Sequence, residues 1–282
     1  MSELVIDAQL VKTLREKTNA GLMDCKRALA EVKGDLEAAI DLLRKKGAAS
    51  AAKKADREAK EGVIAQAIVH NGKVGVLVEV NCETDFVAKN DAFKALTDAV
   101  ASKLAENDSA DVEAERVEAV QKLGENIRIR RHARLEVQGS GAVSSYIHTG
   151  GKVGVLLEVL AAHDATVQSE DFKQLMRDLT LQIAAANPVC VTRDSIPAVL
   201  AEREREVYRG QVPPGKPANI VEQIVEGKMG KFYSNSCLLE QAFIKNPDLT
   251  ITQLLAEKSK ALGDTISVRA FVRFMVGEEV IA

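Results

Sequence analysis

The segment GKVGVLVEVN at residues 72–81 returns as GKVGVLLEVL at residues 151–160, with eight of ten positions identical. Self-similarity at a fixed spacing means that one folding unit has been copied, so an architecture assigned to one stretch must also suit the other. The spacing of 79 holds without a gap beyond that segment: Gly62 matches Gly141, Ile68 matches Ile147, Asp85 matches Asp164 and Phe93 matches Phe172. Each copy opens with alternating β-branched residues, turns at His70-Asn71-Gly72 or Thr149-Gly150-Gly151, and continues into a second apolar run. That is the pattern of an antiparallel hairpin. A helix should follow, because Phe93, Leu96, Val100 and Leu104 in one copy, and Phe172, Leu175, Leu179 and Ile183 in the other, recur at helical spacing.

A second helix over about 111–123 stops at Gly124, ahead of the strand-like Ile127-Arg128-Ile129-Arg130. The second copy ends the same way, with Leu254, Leu255 and Leu262 leading to Gly263 and then Ile266-Ser267-Val268-Arg269. Between Gly124 and Gly263 the spacing has grown from 79 to 139, so 60 residues are inserted in the second copy, at about 188–247. Val199, Leu200, Val207 and Tyr208 mark one amphipathic helix of the insertion, and Ile220, Ile224, Val225 and Phe232 mark another, with a Pro-rich turn between them. They predict a helical hairpin, either projecting or lying flat on its module. Ahead of both copies, Leu10, Val11 and Leu14, then Leu22, Cys25, Leu29 and Val32, then Leu36, Ala39, Ile40 and Leu43 mark three short helices. Gly34 and Asp35 stop the second and cap the third, Gly47 should close the third, and Ala48 to Glu61 reads as a solvated linker or exposed helix. The expected fold is α+β: a small three-helix domain at 1–55, then two duplicated modules of three-stranded antiparallel sheet and helices at 56–140 and 141–282.

Hydrophobic residues make up 46% of the chain but aromatics only 4%, so each aromatic side chain is informative. The duplication tests them: a residue the shared fold requires should occur in both copies. Phe93 and Phe172 pass and are expected in the core. Phe86 fails, because Thr84-Asp85-Phe86-Val87 aligns with His163-Asp164-Ala165-Thr166. It is either an exposed anchor for a partner or a filler of space peculiar to its copy. Asp85 is read as a cap of the next turn or a partner contact. His148, standing where the first copy has Val69, is a contact or an ordinary surface histidine. In Asn19-Ala20-Gly21-Leu22-Met23, Met23 suits an adaptable contact but is expected to be partly buried, and Leu22 could be either.

A net charge of −3 disfavours a surface that grips phosphates along its whole length. The cluster Arg128, Arg130, Arg131 and Arg134 invites a nucleic-acid reading, but its alternation with Ile127 and Ile129 favours a solvated strand face with ion pairs. The start MSELVIDAQL has no signal-peptide pattern and no apolar run approaches a membrane span, so a cytosolic (cytoplasmic) chain with reduced thiols is expected. No GxSxG, P-loop, GxGxxG or metal-ligand spacing occurs, so neither an enzyme, a cofactor nor a metal site is expected, and Cys82 reads as structural.

TNAGLMDCKRAL at 18–29, EVNCETDFVAKN at 79–90 and GENIRIRR at 124–131 together resemble the bacterial elongation factor Ts family, and the resemblance covers essentially the whole chain. It implies a guanine-nucleotide exchange factor that binds elongation factor Tu in its GDP form, promotes GDP release and stays on the nucleotide-free GTPase until GTP binds. It also implies an N-terminal domain of ubiquitin-associated type, with Leu22 and Met23 at the partner, and an insertion like the family's projecting coiled coil. Thr84, Asp85, Phe86 and Val87 would act in dislodging the partner's Mg²⁺, Phe86 as the wedge, and His148 would touch another domain of the partner. A homodimer or heterotetramer is left open; direct nucleic-acid and membrane contacts are not expected. The rival reading is an RNA-binding or scaffold protein.

Overall fold

The computed structural model describes residues 6–18 and 20–279. Its α+β architecture starts with three helices, α1 (Ala8–Thr18), α2 (Leu22–Glu31) and α3 (Leu36–Lys54), around a small core of Val11, Leu14, Cys25, Ala28, Leu29, Ala39 and Leu43. Asp35 caps α3 by accepting the Ala38 N–H at 3.0 Å. The first module follows: β1 (Glu61–Val69), β2 (Val74–Cys82), α4 (Asp85–Lys89), α5 (Asp91–Glu106), α6 (Glu113–Leu123) and β3 (Arg128–Glu136). The second repeats it as β4 (Gly141–Ile147), β5 (Val153–Ala161), α7 (Asp164–Gln168) and α8 (Glu170–Ala186). The insertion holds α9 (Ala198–Gly210) and α10 (Ala218–Ser236), and across its end runs a two-stranded ribbon of β6 (Ala242–Phe243) and β7 (Asn246–Thr250), which the sequence pattern did not predict. The module then closes with α11 (Ile251–Leu262) and β8 (Ile266–Met275).

The sheets run β1-β2-β3 and β4-β5-β8, all antiparallel, and even their irregularities match: a bulge falls between Glu79 and Val80 in one and between Glu158 and Val159 in the other. One face of each central strand packs on helices. In the first module Val76, Val78 and Val80 meet Phe93, Val100 and Leu104; in the second Val155, Leu157 and Val159 meet Phe172, Leu175 and Leu179.

The other faces of the two sheets pack on each other through Ile64, Leu77, Val143, Leu156 and Phe274. The repeated segment is the seam of this contact. A Cβ on Gly75 would lie 2.6 Å from Val143, and one on Gly154 2.5 Å from Ile64, so the glycines allow the close approach. Lys73 Nζ donates to the Gly141 carbonyl at 3.1 Å and Lys152 Nζ donates to the Gly62 carbonyl at 3.1 Å, the same bond made reciprocally. With both faces covered, β2 is buried along its whole length.

Glu79 lies in this seam and is fully buried. Burial pushes its carboxyl up, but bonds from the Gly277 N–H, Asn81, Arg130 and Arg131 outweigh that and hold it below the usual carboxylate range. At the matching Glu158, burial prevails over the pull of Arg269 and the carboxyl is pushed up.

One expectation needs correction. Gly47 does not close α3, which runs on to Lys54 and buries Ala51 in the first module's core. The missing side chain instead makes room for Gln121 of α6, whose Nε2 donates to the Leu43 carbonyl at 3.1 Å. Of the two readings for Ala48 to Glu61, residues 48–54 are the exposed helix, with Ala51 alone turned into the core, and residues 55–60 are solvated chain; the three-helix unit is docked on the first module.

Gly62 and Gly141, paired by the repeat, have φ of +142° and +151°, and a Cβ on Gly62 would sit 2.2 Å from the Val80 carbonyl oxygen. Gly62→Ala should therefore cost about 2 kcal/mol of stability, read from the urea midpoint; an unchanged midpoint would show that β1 can shift without loss.

Candidate partner-binding site

β2 delivers the chain to the Thr84–Val87 loop with Cys82 still buried; burial pushes that thiol up to about 12, which suits a structural role. Thr84 is the N-cap of α4, its hydroxyl accepting the Val87 N–H at 3.3 Å. Asp85 is not the cap: it pairs with Lys89 at 2.7 Å, and that bond holds its carboxyl below the usual range. Val87 and Ala88 turn into the first module's core, whereas Phe86, in the first turn of α4, is 81% exposed. It fills no space within its copy.

The loop is held by Glu125, a residue the sequence analysis does not single out. Its Oε2 accepts the N–H groups of Glu83 and Thr84 at 3.0 Å each, and its Oε1 accepts the Thr84 hydroxyl at 2.5 Å. Gly124, left-handed at φ +78°, ends α6 and turns the chain so that Glu125 faces the loop. The signal was available in the repeat: at the 139 spacing Glu125 matches Asp264, whose carboxylate accepts the N–H groups of Ala162 and His163 at 2.9 and 3.1 Å.

Leu22 and Met23 lie at the start of α2, 55% and 60% exposed, while Cys25, Ala28 and Leu29 take the inward face. Met23 is thus not partly buried as expected, because the helix core is filled from the opposite side. Asn19, where that predicted turn begins, lies outside the described residues. A cleft of about 350 Å³ lined by Gly21, Asp24, Leu43 and Gln121 runs between this turn and α6. Through Gln121, α6 holds the domain that carries Leu22 and Met23, and the same helix leads directly to Glu125 below Phe86.

His148 is exposed just past β4, its Nδ1 3.0 Å from the Tyr146 hydroxyl. Its turn is tied to the first module by the Ile64 N–H, which donates to the Gly151 carbonyl at 2.7 Å, and by Lys152, which pairs with Glu61 at 2.5 Å. Glu61 is in register with Cys82, so the His148 turn adjoins the strand ends from which the Phe86 loop springs.

The arginine cluster is engaged within the chain. Arg130 and Arg131 reach Glu79 at 3.0 and 2.7 Å, Arg128 donates to the Ala55 carbonyl, and Arg134 donates to the Ala105 carbonyl at 3.1 Å and pairs with Glu136. Arg131 also stacks over Phe274 at 4.1 Å. Arg130 and Arg131 thus belong to the seam between the sheets, while Arg128 and Arg134 are spent on the end of α3, on α5 and on an ion pair along the strand, which leaves few donors for phosphates.

In the insertion, α9 and α10 pair through Arg205–Glu226 and Arg209–Glu222, with Val225 and Met229 of α10 buried. Val199 is 83% exposed. Replacing residues 198–231 with a short Gly/Ser linker should leave the two modules unfolding cooperatively; loss of the transition would show that the hairpin supports the core. Among the described residues no helix is long and apolar enough to cross a membrane.

Large apolar side chains thus stay exposed at two places on this α+β frame, Phe86 in the first turn of α4 and Leu22 and Met23 in the first turn of α2. A profile described as Elongation factor TS matches residues 83–278. Elongation factor Ts of Trichlorobacter lovleyi is 43% identical, covering 98% of this chain and 94% of the relative. That of Nitratidesulfovibrio vulgaris is 43% identical, covering 99% and 98%, and that of Clostridium botulinum strain Alaska E43 is 45% identical, covering 97% and 94%. The chain belongs to the elongation factor Ts family, and so to the factors of translation elongation.

Proposed function

We propose that this chain is the guanine-nucleotide exchange factor of elongation factor Tu. The observation that carries the reading is Phe86, a large apolar side chain left 81% exposed on a loop whose backbone is pinned. An ordered apolar anchor gains contact area on binding and loses little conformational freedom. In this reading Thr84 to Val87 enter the partner beside its nucleotide site, with Phe86 as the wedge and Asp85 in support. Leu22 and Met23, on an N-terminal domain of ubiquitin-associated type, hold the nucleotide domain, and His148 meets a second domain. The inserted coiled coil is a peripheral surface.

Displacing the groups that hold the partner's Mg²⁺ and phosphates weakens its grip on GDP. The coupling is reciprocal: GDP weakens binding of the factor by the same free energy, and GTP entering the emptied site expels it. No bond is made or broken by this chain. Size-exclusion chromatography tests the reading. A complex with nucleotide-free elongation factor Tu should form and should be split by excess GDP; a chain that never co-elutes, or a complex indifferent to GDP, would contradict it. RNA binding that falls steeply with salt would favour the rival.

A further inference from the structure

We propose that Glu125 is the positioning residue of the Thr84–Val87 loop, fixing its backbone so that Phe86 meets the partner ready-formed; this rests on the exchange reading above. One carboxylate accepts three donors from two consecutive residues, the N–H groups of Glu83 and Thr84 and the Thr84 hydroxyl. The Thr84 hydroxyl in turn accepts the Val87 N–H, so the bonds run from Glu125 through Thr84 into the first turn of α4. The clamp is closed from the other side, where the Glu83 carboxylate accepts the Asn126 N–H at 2.6 Å. Asn126 is buried and donates to the Ala55 and Arg57 carbonyls, which ties the clamp to the end of α3. Phe86, largely in solvent, cannot set the loop's conformation by its own packing. An unclamped loop would have to be ordered on binding, at a cost to affinity for the exchange-competent state.

The second copy provides the control. Asp264 makes the two matching backbone bonds, but to a loop that carries Ala165 where the first has Phe86. A clamp that serves the fold alone should matter equally in both copies, and one that presents an anchor should matter to exchange in the first.

The experiment is stopped-flow release of a fluorescent GDP from elongation factor Tu by the full chain, with Glu125→Ala, Glu125→Gln and Asp264→Ala made in the wild-type and Phe86→Ala backgrounds. Glu125→Ala should slow stimulated release by about fivefold or more when Phe86 is present and by less than about twofold when it is absent, because the two residues act as one unit. Glu125→Gln, which keeps a carbonyl acceptor, should recover part of the rate, and Asp264→Ala should change it by less than about twofold. Amide hydrogen exchange at residues 83–87 should quicken in Glu125→Ala with its melting transition retained; if that variant does not fold, Glu125→Gln carries the same comparison. Wild-type exchange in Glu125→Ala, or an equal loss in both backgrounds, would overturn the proposal. Failure of the wild-type chain to accelerate release would instead overturn the exchange reading, and the amide exchange would still decide whether Glu125 fixes the loop.

Discussion

Phe86→Ala should lower the maximal stimulated rate of GDP release from elongation factor Tu by about tenfold or more, with the unfolding transition of the chain unchanged. The two halves of that expectation have separate origins. The side chain is 81% exposed, and its counterpart Ala165 shows that the copied loop forms without a phenyl ring, so truncation removes little folded-state packing. Burial of the ring in the partner is where its apolar surface leaves water, so the loss falls on the bound state. A rise in the half-saturating concentration with an unchanged maximal rate would make Phe86 a grip on the partner, and no effect on either would remove it from the mechanism.

Glu79→Ala should destabilise the chain by about 3 kcal/mol, read from chemical denaturation, because it leaves Arg130 and Arg131 without their shared buried carboxylate. The same residue sets a pH dependence. Its carboxyl is held below the usual range in the folded chain, so the stability it contributes is present above the unfolded carboxylate value of about 4.3 and is lost as pH falls through the folded value. Glu79→Gln should start less stable at neutral pH and show a shallower decline on acidification. Parallel curves for wild type and Glu79→Gln would show that Glu79 does not carry this dependence.

The repeat made most of the fold legible, since each hairpin, helix and strand had to fit two sequences at once. It also separated Phe93 and Phe172, both buried, from exposed Phe86. What stayed hidden depends on partners distant in the chain. Gly47 has the residue type of a helix stop, but close helix packing selects the same absence of a side chain. Glu79 sits at an alternating position that reads as solvent-facing in an isolated sheet, and only the second sheet covers it. Glu125 could have been found, because the offset that aligns Gly124 with Gly263 also aligns Glu125 with Asp264. The exposure of Met23 could not, because one amphipathic turn fits either arrangement.

The most direct test of the account is the release of a fluorescent GDP from elongation factor Tu as the concentration of the full chain is raised. The account predicts a rate that climbs to a plateau well above spontaneous release. A rate that stays at the spontaneous value at every concentration would contradict it.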